Sequence, residues 1–383
     1  MTENNRRRTA LVLTGGGARG AYQAGVLRGI AEFWPKKEIP FRVVTGISAG
    51  TLNAAILAGS ADDYLAGTRR LWDLWATLEY ESVFRLRKEV VLYNGMQWLL
   101  SFALSLFRTN SFKPLLDTEP LRKLLADNMK FDAIRGHFQS GVLDALALTA
   151  TDYSRGHSVT FFDGELTHNS WYRHDRIGVR ATLGSKHIVA SCAIPILFEP
   201  VYMHGRFFGD GSIRMSAPLS PAIHLGAERI LAISVQRPHD HVRALSELHQ
   251  HPQSIFPERE PMWGDVLGAL YATAFFDSLE SDFERLNSIN NLVRASHTSL
   301  ALQDIPALLV QPTADIANIA QMGFEKYPFV FRRLLRALGA SEDHNSDFLS
   351  YLAFESAFTK PLLELGRKDI LARKDEILDF ILK

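Results

Sequence analysis

The apolar residues change period within the first sixty positions. Thr9 to Thr14 is a short apolar run that ends in Gly15-Gly16-Gly17-Ala18-Arg19-Gly20. From Ala21 to Phe33 the apolar side chains Tyr22, Val26, Ile30 and Phe33 fall on one helical face, and Pro35 closes the segment. The unit then recurs: apolar Phe41 to Thr45, the turn Gly46-Ile47-Ser48-Ala49-Gly50, and a small-residue helix from Thr51 to Leu57. Two strand, glycine turn, helix units in succession predict the opening of a mostly parallel α/β sheet flanked by helices.

The later pattern extends that sheet. Helices are expected over Asp62 to Glu79 and Pro114 to Asn128, then a strand over Leu143 to Thr151. Ser158 to Phe162 is its hairpin partner across Ser154-Arg155-Gly156. A short helix over His187 to Ala193 precedes Phe198 to Val201, Arg206 to Phe208 and the turn Gly209-Asp210-Gly211. Pro218 to Leu225 reads as a helix; Arg229 to Val235 and Pro306 to Gln311 read as buried strands. Between those two strands lie a polar loop, His239 to Glu260, and a helix, Val266 to Leu286. Beyond Phe329 only helical spacing remains, over Phe329 to Leu338, Phe348 to Glu364 and Lys368 to Ile381. The expected organisation is an α/β domain over 9–312, with the loop 239–260 and helices 262–290 inserted before the last strand. A helical C-terminal extension over 325–383 follows.

Charge and cysteine content narrow the function classes. Lys plus Arg and Asp plus Glu are equal at 42 each among 383 residues, which argues against a nucleic-acid footprint. Cys192 is the single cysteine, so no disulfide forms within the chain. No signal-like apolar region stands at the N-terminus, so a cytoplasmic chain is expected, with peripheral membrane contact left open. Val90 to Phe107 is uncharged and rich in aromatics, but Asn94-Gly95 interrupts it, and a spanning helix needs about 20 mostly apolar residues. Over 90–112 a lid or pocket wall is expected, with membrane contact, a contact between copies in a homo-oligomer, or plain core as alternatives. The histidines His239, His241, His249 and His251 sit in the polar loop without a fixed acid or cysteine partner, so no metal site is expected there.

The first glycine turn admits three readings. Gly15, Gly17 and Gly20 fit the dinucleotide fingerprint, but no acid ends the next strand. A tight turn that merely needs glycines is the plainest alternative. A nest of backbone N–H groups at a helix N-terminus, suited to developing negative charge, is the third. The second turn favours the third reading. Gly46-Ile47-Ser48-Ala49-Gly50 between strand and helix is a nucleophile elbow, with the Ala49 N–H as an oxyanion donor; a helix N-cap serine is the bland reading. Ser48 comes unusually early for a Ser, Asp, His order, and no histidine stands out as its partner. Asp210 does, because apolar residues precede it and Gly209 and Gly211 flank it. A carboxylate within reach of a serine hydroxyl can accept its proton directly.

With these residues in hand, the sequence resembles the patatin-like phospholipases, and in particular a bacterial branch with a helical C-terminal extension. Gly15 to Gly20 is similar to that family's oxyanion loop and Gly46 to Gly50 to its serine elbow. Ala190-Ser191-Cys192-Ala193-Ile194-Pro195, continuing to Phe198-Glu199-Pro200-Val201, is similar to the segment before its acid, and Asp210-Gly211 to its Asp-Gly-Gly/Ala motif. The resemblance spans about residues 9 to 235. It implies a lipid acyl-ester hydrolase of phospholipase A or lysophospholipase type, acting through a Ser48–Asp210 dyad without a catalytic histidine or cofactor. Gly15, Gly16 and Gly17 would form the oxyanion loop with Ala49, braced by Arg19; Gly46, Gly50 and Gly211 would shape the turns. A phospholipid or other lipid ester would be the substrate. Two departures are Ser212, where Gly or Ala is usual, and Met215-Ser216-Ala217-Pro218, where Asn often precedes Ala/Thr-Pro. An acyltransferase or thioesterase using the same serine, and a non-catalytic membrane-binding module, stand as alternatives.

Overall fold

Alternation along the central strands decides the layers. In β1 (Thr9–Leu13), Leu11 and Leu13 enter one core while Ala10 and Val12 enter the other. β2 (Val43–Ile47) divides likewise, with Val44 on the first side and Val43 on the second. A strand buried on both faces must be covered on both, and helices supply the cover. The structure, a computed structural model, describes residues 7–86, 114–237, 278–296, 302–316 and 347–382, with positions 319 and 332.

After β2 the strands are β3 (Arg85–Leu86), β4 (Leu116–Asp117), β5 (Ala145–Asp152), β6 (His157–Gly164), β7 (Trp171–Arg173) and β8 (Arg176–Arg180). Then come β9 (Val201–Met203), β10 (Arg206–Gly209), β11 (Arg229–Ile233) and β12 (Ala307–Val310). The main sheet runs β12-β11-β1-β2-β5-β6-β8-β7. From β12 to β5 all neighbours are parallel. The β9–β10 hairpin joins through β10, which pairs antiparallel with the end of β5 at Phe208↔Asp152 and Gly209↔Thr151.

Helices α1 (Gly20–Phe33), α2 (Ala49–Ala58), α3 (Tyr64–Thr77), α4 (Glu119–Asn128), α5 (Phe131–Ser140) and α6 (Ser185–Ser191) pack on the first face. The second face is covered by α7 (Ser220–His224) and α8 (Ser278–Ala295). The described C-terminal helices are α9 (Asp347–Leu352), α10 (Ser356–Leu371) and α11 (Lys374–Leu382). They pack on the first face, through Leu349, Phe358, Leu362 and Ile377 among others. The result is a three-layer α/β fold with C-terminal helices.

Several boundaries differ from the sequence expectation. The second strand lies two residues later, so Gly46 and Ile47 are still extended and Ser48 follows directly. Helix α4 begins at Glu119, because Leu116 and Asp117 pair with β3. Strands β7 and β8 extend the sheet beyond the predicted hairpin; their charged, half-exposed residues lack the apolar signature of a buried strand. The C-terminal helices break at Ala353–Glu355 and Ala372–Arg373 rather than near Gly366. Gly366 stays helical because α10 lies against α1 there: a Cβ on Gly366 would stand 2.2 Å from the Tyr22 carbonyl oxygen. A Cβ on Gly25 would likewise meet the Leu363 carbonyl oxygen at 2.1 Å.

The aromatic stretch 90–112, the histidine-containing loop 239–260, most of the helix expected over 266–286 and, apart from position 332, the helix expected over 329–338 lie outside the described residues. No helix among the described residues is long and apolar enough to cross a membrane.

Candidate active site

The C-terminal ends of β1, β2, β5 and β11 meet at one edge of the sheet, where ligands of such folds bind. Ser48 ends β2 there, with φ 49° and ψ −127°. That conformation is costly for a residue with a side chain, and its neighbours make it obligatory. A Cβ on Gly46 would lie 2.6 Å from the Gly50 carbonyl oxygen, and one on Gly50 would lie 2.3 Å from that of Leu13. The elbow is therefore closed against both its own helix and β1. The Ser48 N–H donates to Ser191 Oγ at 2.8 Å, and Ser191 Oγ donates to the Thr149 carbonyl. The Ser48 carbonyl accepts from Thr51 N at 2.8 Å and from Thr51 Oγ1 at 2.6 Å.

Asp210 arrives from the end of β10. Its N–H donates to the Ala193 carbonyl at 2.9 Å, and its own carbonyl accepts from Thr151 Oγ1 at 2.7 Å. With the backbone held on two sides, the carboxylate faces the elbow. Oδ2 accepts from Ser48 Oγ at 2.7 Å, and Oδ1 accepts from the Ser212 N–H at 2.9 Å. Asp210 is fully buried and Ser48 nearly so. Burial pushes the Asp210 carboxyl up to about 6. The Ser212 amide and the Ser48 hydroxyl oppose that shift by favouring the charged form. Among the described residues, no histidine hydrogen-bonds either member of the pair.

The glycine-rich loop closes the third side. A Cβ on Gly15 would lie 2.3 Å from Ser212 Oγ and 3.1 Å from Ser48 Cβ, so loop, elbow and acid turn touch at one point. Gly17 sits at φ +53°, and a Cβ there would fall 2.1 Å from the Tyr351 carbonyl oxygen. Both conformation and space demand glycine. Among the described residues, no protein acceptor takes up the N–H groups of Gly15, Gly16, Gly17 or Ala49. Those of Gly17 and Ala49 open the 3-10 turn Gly17–Arg19 and α2, where helix dipoles favour negative charge. A buried amide network sets the loop against the elbow. Asn53 Nδ2 donates to the Gly20 carbonyl and to Gln23 Oε1, both at 3.0 Å, and Gln23 Nε2 donates to the Thr14 carbonyl at 2.9 Å. Trp75 Nε1 donates to Asn53 Oδ1 at 2.8 Å.

Arg19 is buried and turned toward α9. Its Nε donates to Ser350 Oγ at 2.6 Å, and its guanidinium lies 5.2 Å from the centre of the Tyr351 ring. Gly211 packs against β5, where a Cβ would stand 2.1 Å from the Thr149 carbonyl oxygen. Cys192 lies 3.7 Å from Thr51 Oγ1, and burial pushes its thiol up to about 12, so it offers no thiolate at neutral pH. A cleft lined by Thr14, Gly15, Ile47, Ser212, Met215 and Leu279, among others, opens beside the loop.

Gly15, Gly16, Gly17, Gly46, Ser48, Ala49, Gly50, Asp210 and Gly211 thus fall at this one edge, with Arg19 turned from it toward α9. Sequence reasoning passed over Ser191, the Asn53–Gln23–Trp75 network, Ser350 and Tyr351. Ser191 lies inside the motif block before the acid, but nothing in its spacing marks its hydroxyl as the acceptor for the elbow amide.

Fold and site together define a three-layer α/β protein with a strained serine at a strand-to-helix elbow and a buried acid beside it. A family model described as patatin-like phospholipase matches residues 11–223, more than half of the chain, and the chain belongs to that family. Among solved structures it is similar to human GIVD cytosolic phospholipase A2, at 12% identity and a TM-score of 0.44. The match covers 100% of this chain and 60% of that one, so the chain spans about 60% of the human enzyme's length. It is also similar to VipD from Legionella pneumophila, at 15% identity and a TM-score of 0.34, covering 91% of this chain and 69% of that one. No curated protein sequence matches.

Proposed function

We propose that this chain is a serine hydrolase of lipid acyl esters that works through a Ser48–Asp210 dyad and an acyl-enzyme intermediate. The observation that carries the reading is the 2.7 Å hydrogen bond from Ser48 Oγ to Asp210 Oδ2, set beside backbone N–H groups that no acceptor among the described residues takes up.

The chemistry follows from that geometry. Asp210 accepts the hydroxyl proton as Ser48 Oγ attacks the ester carbonyl carbon. The carbonyl oxygen becomes an oxyanion and is met by amides of the Gly15–Gly17 loop and of Ala49. The tetrahedral species collapses, the C–O bond to the alcohol breaks, and protonated Asp210 returns its proton to the leaving oxygen. Water then repeats the sequence against the acyl-Ser48 ester, with Asp210 again as base, and releases the fatty acid. A carboxyl near 6 is mostly ionised at neutral pH yet more basic than an exposed aspartate, which suits it to this task.

The test is hydrolysis of long-chain phospholipid, short-chain ester and matched thioester by the wild type and by Ser48→Ala. Loss of about 10³-fold or more in kcat with an unchanged fold is expected for the variant. Turnover near wild type would remove Ser48 as the nucleophile. A strong preference for thioester, or for transfer to an added alcohol over water, would favour the thioesterase or acyltransferase reading.

A further inference from the structure

The C-terminal helices reach the oxyanion loop itself. Leu349, Ser350, Tyr351 and Leu352 of α9 are all buried against the protein. Two of them touch the loop directly. The Tyr351 carbonyl oxygen fills the place a Cβ on Gly17 would need, and Ser350 Oγ accepts from Arg19 Nε at 2.6 Å. The Tyr351 ring lies beneath the same guanidinium. Gly17 and Arg19 bound the 3-10 turn that leads into α1, so these contacts act on both ends of that turn.

The segment is anchored independently of the loop. Helix α10 lies along α1 at backbone contact distance through Gly25 and Gly366. Thr359 Oγ1 donates to the Trp75 carbonyl at 2.6 Å, and the Tyr22 hydroxyl donates to Asp369 Oδ2 at 3.1 Å. Phe354 meets Phe84 edge to face with ring centres 6.3 Å apart. A glycine-rich turn held only by its own short hydrogen bonds can sample many conformations, and oxyanion stabilisation depends on donors that do not have to move. A rigid external contact on the turn supplies that immobility.

We propose that α9 is a positioning element of the active site, in which Ser350 and Tyr351, through Arg19 and Gly17, hold the oxyanion loop in its donor geometry. The proposal rests on the hydrolase reading above. It makes the C-terminal helices part of the catalytic apparatus.

The experiment compares wild type, Ser350→Ala, Ser350→Thr and Arg19→Lys on a soluble short-chain ester, with thermal unfolding alongside. It adds the affinity of a trifluoromethyl ketone, which forms a tetrahedral adduct, and of the fatty acid product, which does not. For Ser350→Ala, kcat should fall about 10- to 100-fold with KM near wild type, and the melting temperature should drop because the buried Arg19 Nε–H loses its acceptor while the fold is retained. Ketone affinity should fall in parallel, product affinity should hold, and Ser350→Thr should recover most of the loss. Unchanged kcat in a folded Ser350→Ala overturns the proposal. So does a loss that Thr does not rescue and that spreads equally over ketone and product binding. If Ser350→Ala fails to fold, Arg19→Lys decides: it keeps the charge over Tyr351 but removes the Nε donor, and wild-type kcat in that variant overturns the proposal. Absence of ester hydrolysis in the wild type would instead remove the hydrolase reading. Wild-type hydrolysis that depends on Ser48 but not on Ser350 would remove only the role of α9.

Discussion

Ser191 Oγ accepts a hydrogen bond from the backbone N–H of Ser48 at 2.8 Å and donates one to the Thr149 carbonyl. One side chain thereby satisfies two buried backbone groups and ties the strained elbow to β5. It also occupies the Ser48 amide, so in the proposed reaction the oxyanion would be left to the donors of the glycine loop and of Ala49.

Ser191→Ala should therefore harm both stability and catalysis. It leaves the Ser48 N–H and the Thr149 carbonyl without their partner, at about 1–3 kcal/mol. With the elbow freed to relax from φ 49°, kcat should drop roughly 10- to 100-fold. Thermal unfolding and steady-state kinetics on one preparation check both parts. Wild-type values in both would show that the elbow needs no such tie.

The pH dependence follows from Asp210. The proposed dyad needs this carboxyl ionised, and burial pushes it up to about 6. Activity should therefore rise with pH through a midpoint near 6 and level off above it. Because the base is a carboxylate, single His→Ala substitutions should leave that limb in place. A rate profile over pH 4 to 9, roughly spanning the carboxylate and imidazole ranges, tests this. A limb that vanishes with one histidine would replace the dyad by a triad.

The same burial has a stability consequence of opposite sign to function. Asp210 has a higher pKa folded than unfolded, so between the ordinary carboxylate range and about 6 the folded state binds the extra proton. Stability then falls as pH rises through that window, and above it the buried charge is a standing cost. Asp210→Asn should abolish activity while stabilising the fold at pH 8 by on the order of 2 kcal/mol. That gain should shrink toward zero at about pH 4. Denaturant unfolding at the two pH values measures it; destabilisation at pH 8 would mean the carboxylate's hydrogen bonds outweigh its desolvation.

Gly15→Ala should be nearly inactive and still folded. Its Cβ would stand 2.3 Å from Ser212 Oγ and 3.1 Å from Ser48 Cβ. A loss of about 10²-fold or more in kcat is expected from displacing the loop or the serine. Adding Ser212→Ala removes the nearer clash, since Ser212 Cβ lies 3.6 Å from the same point, and should recover part of the rate. No recovery in the double variant would locate the damage at Ser48 alone.

What the sequence by itself determined is local. The switch from an apolar run to glycines to helical spacing places the two turns. At Gly46 the steric demand comes from Gly50 and Thr51, a few residues on, so spacing suffices to read it; at Gly50 it comes from the Leu13 carbonyl of β1, which only the fold brings there. Asp210 was legible as an unusual acid, because glycines flank it and apolar residues precede it. Its partnership with Ser48, 162 positions away, was implied by resemblance, and the distance itself came only from the folded chain. Burial that raises its carboxyl depends on everything packed around it, which no short window contains. Ser191 and Ser350 were illegible for the same reason. A serine hydroxyl has no sequence signature until the fold brings it to a backbone amide 143 positions away, or to a guanidinium 331 positions away. The C-terminal helices were visible as helices from their period. That one of them reaches the oxyanion loop was decided by tertiary packing, where Gly25 and Gly366 let α10 lie against α1 closely enough to carry α9 to Gly17.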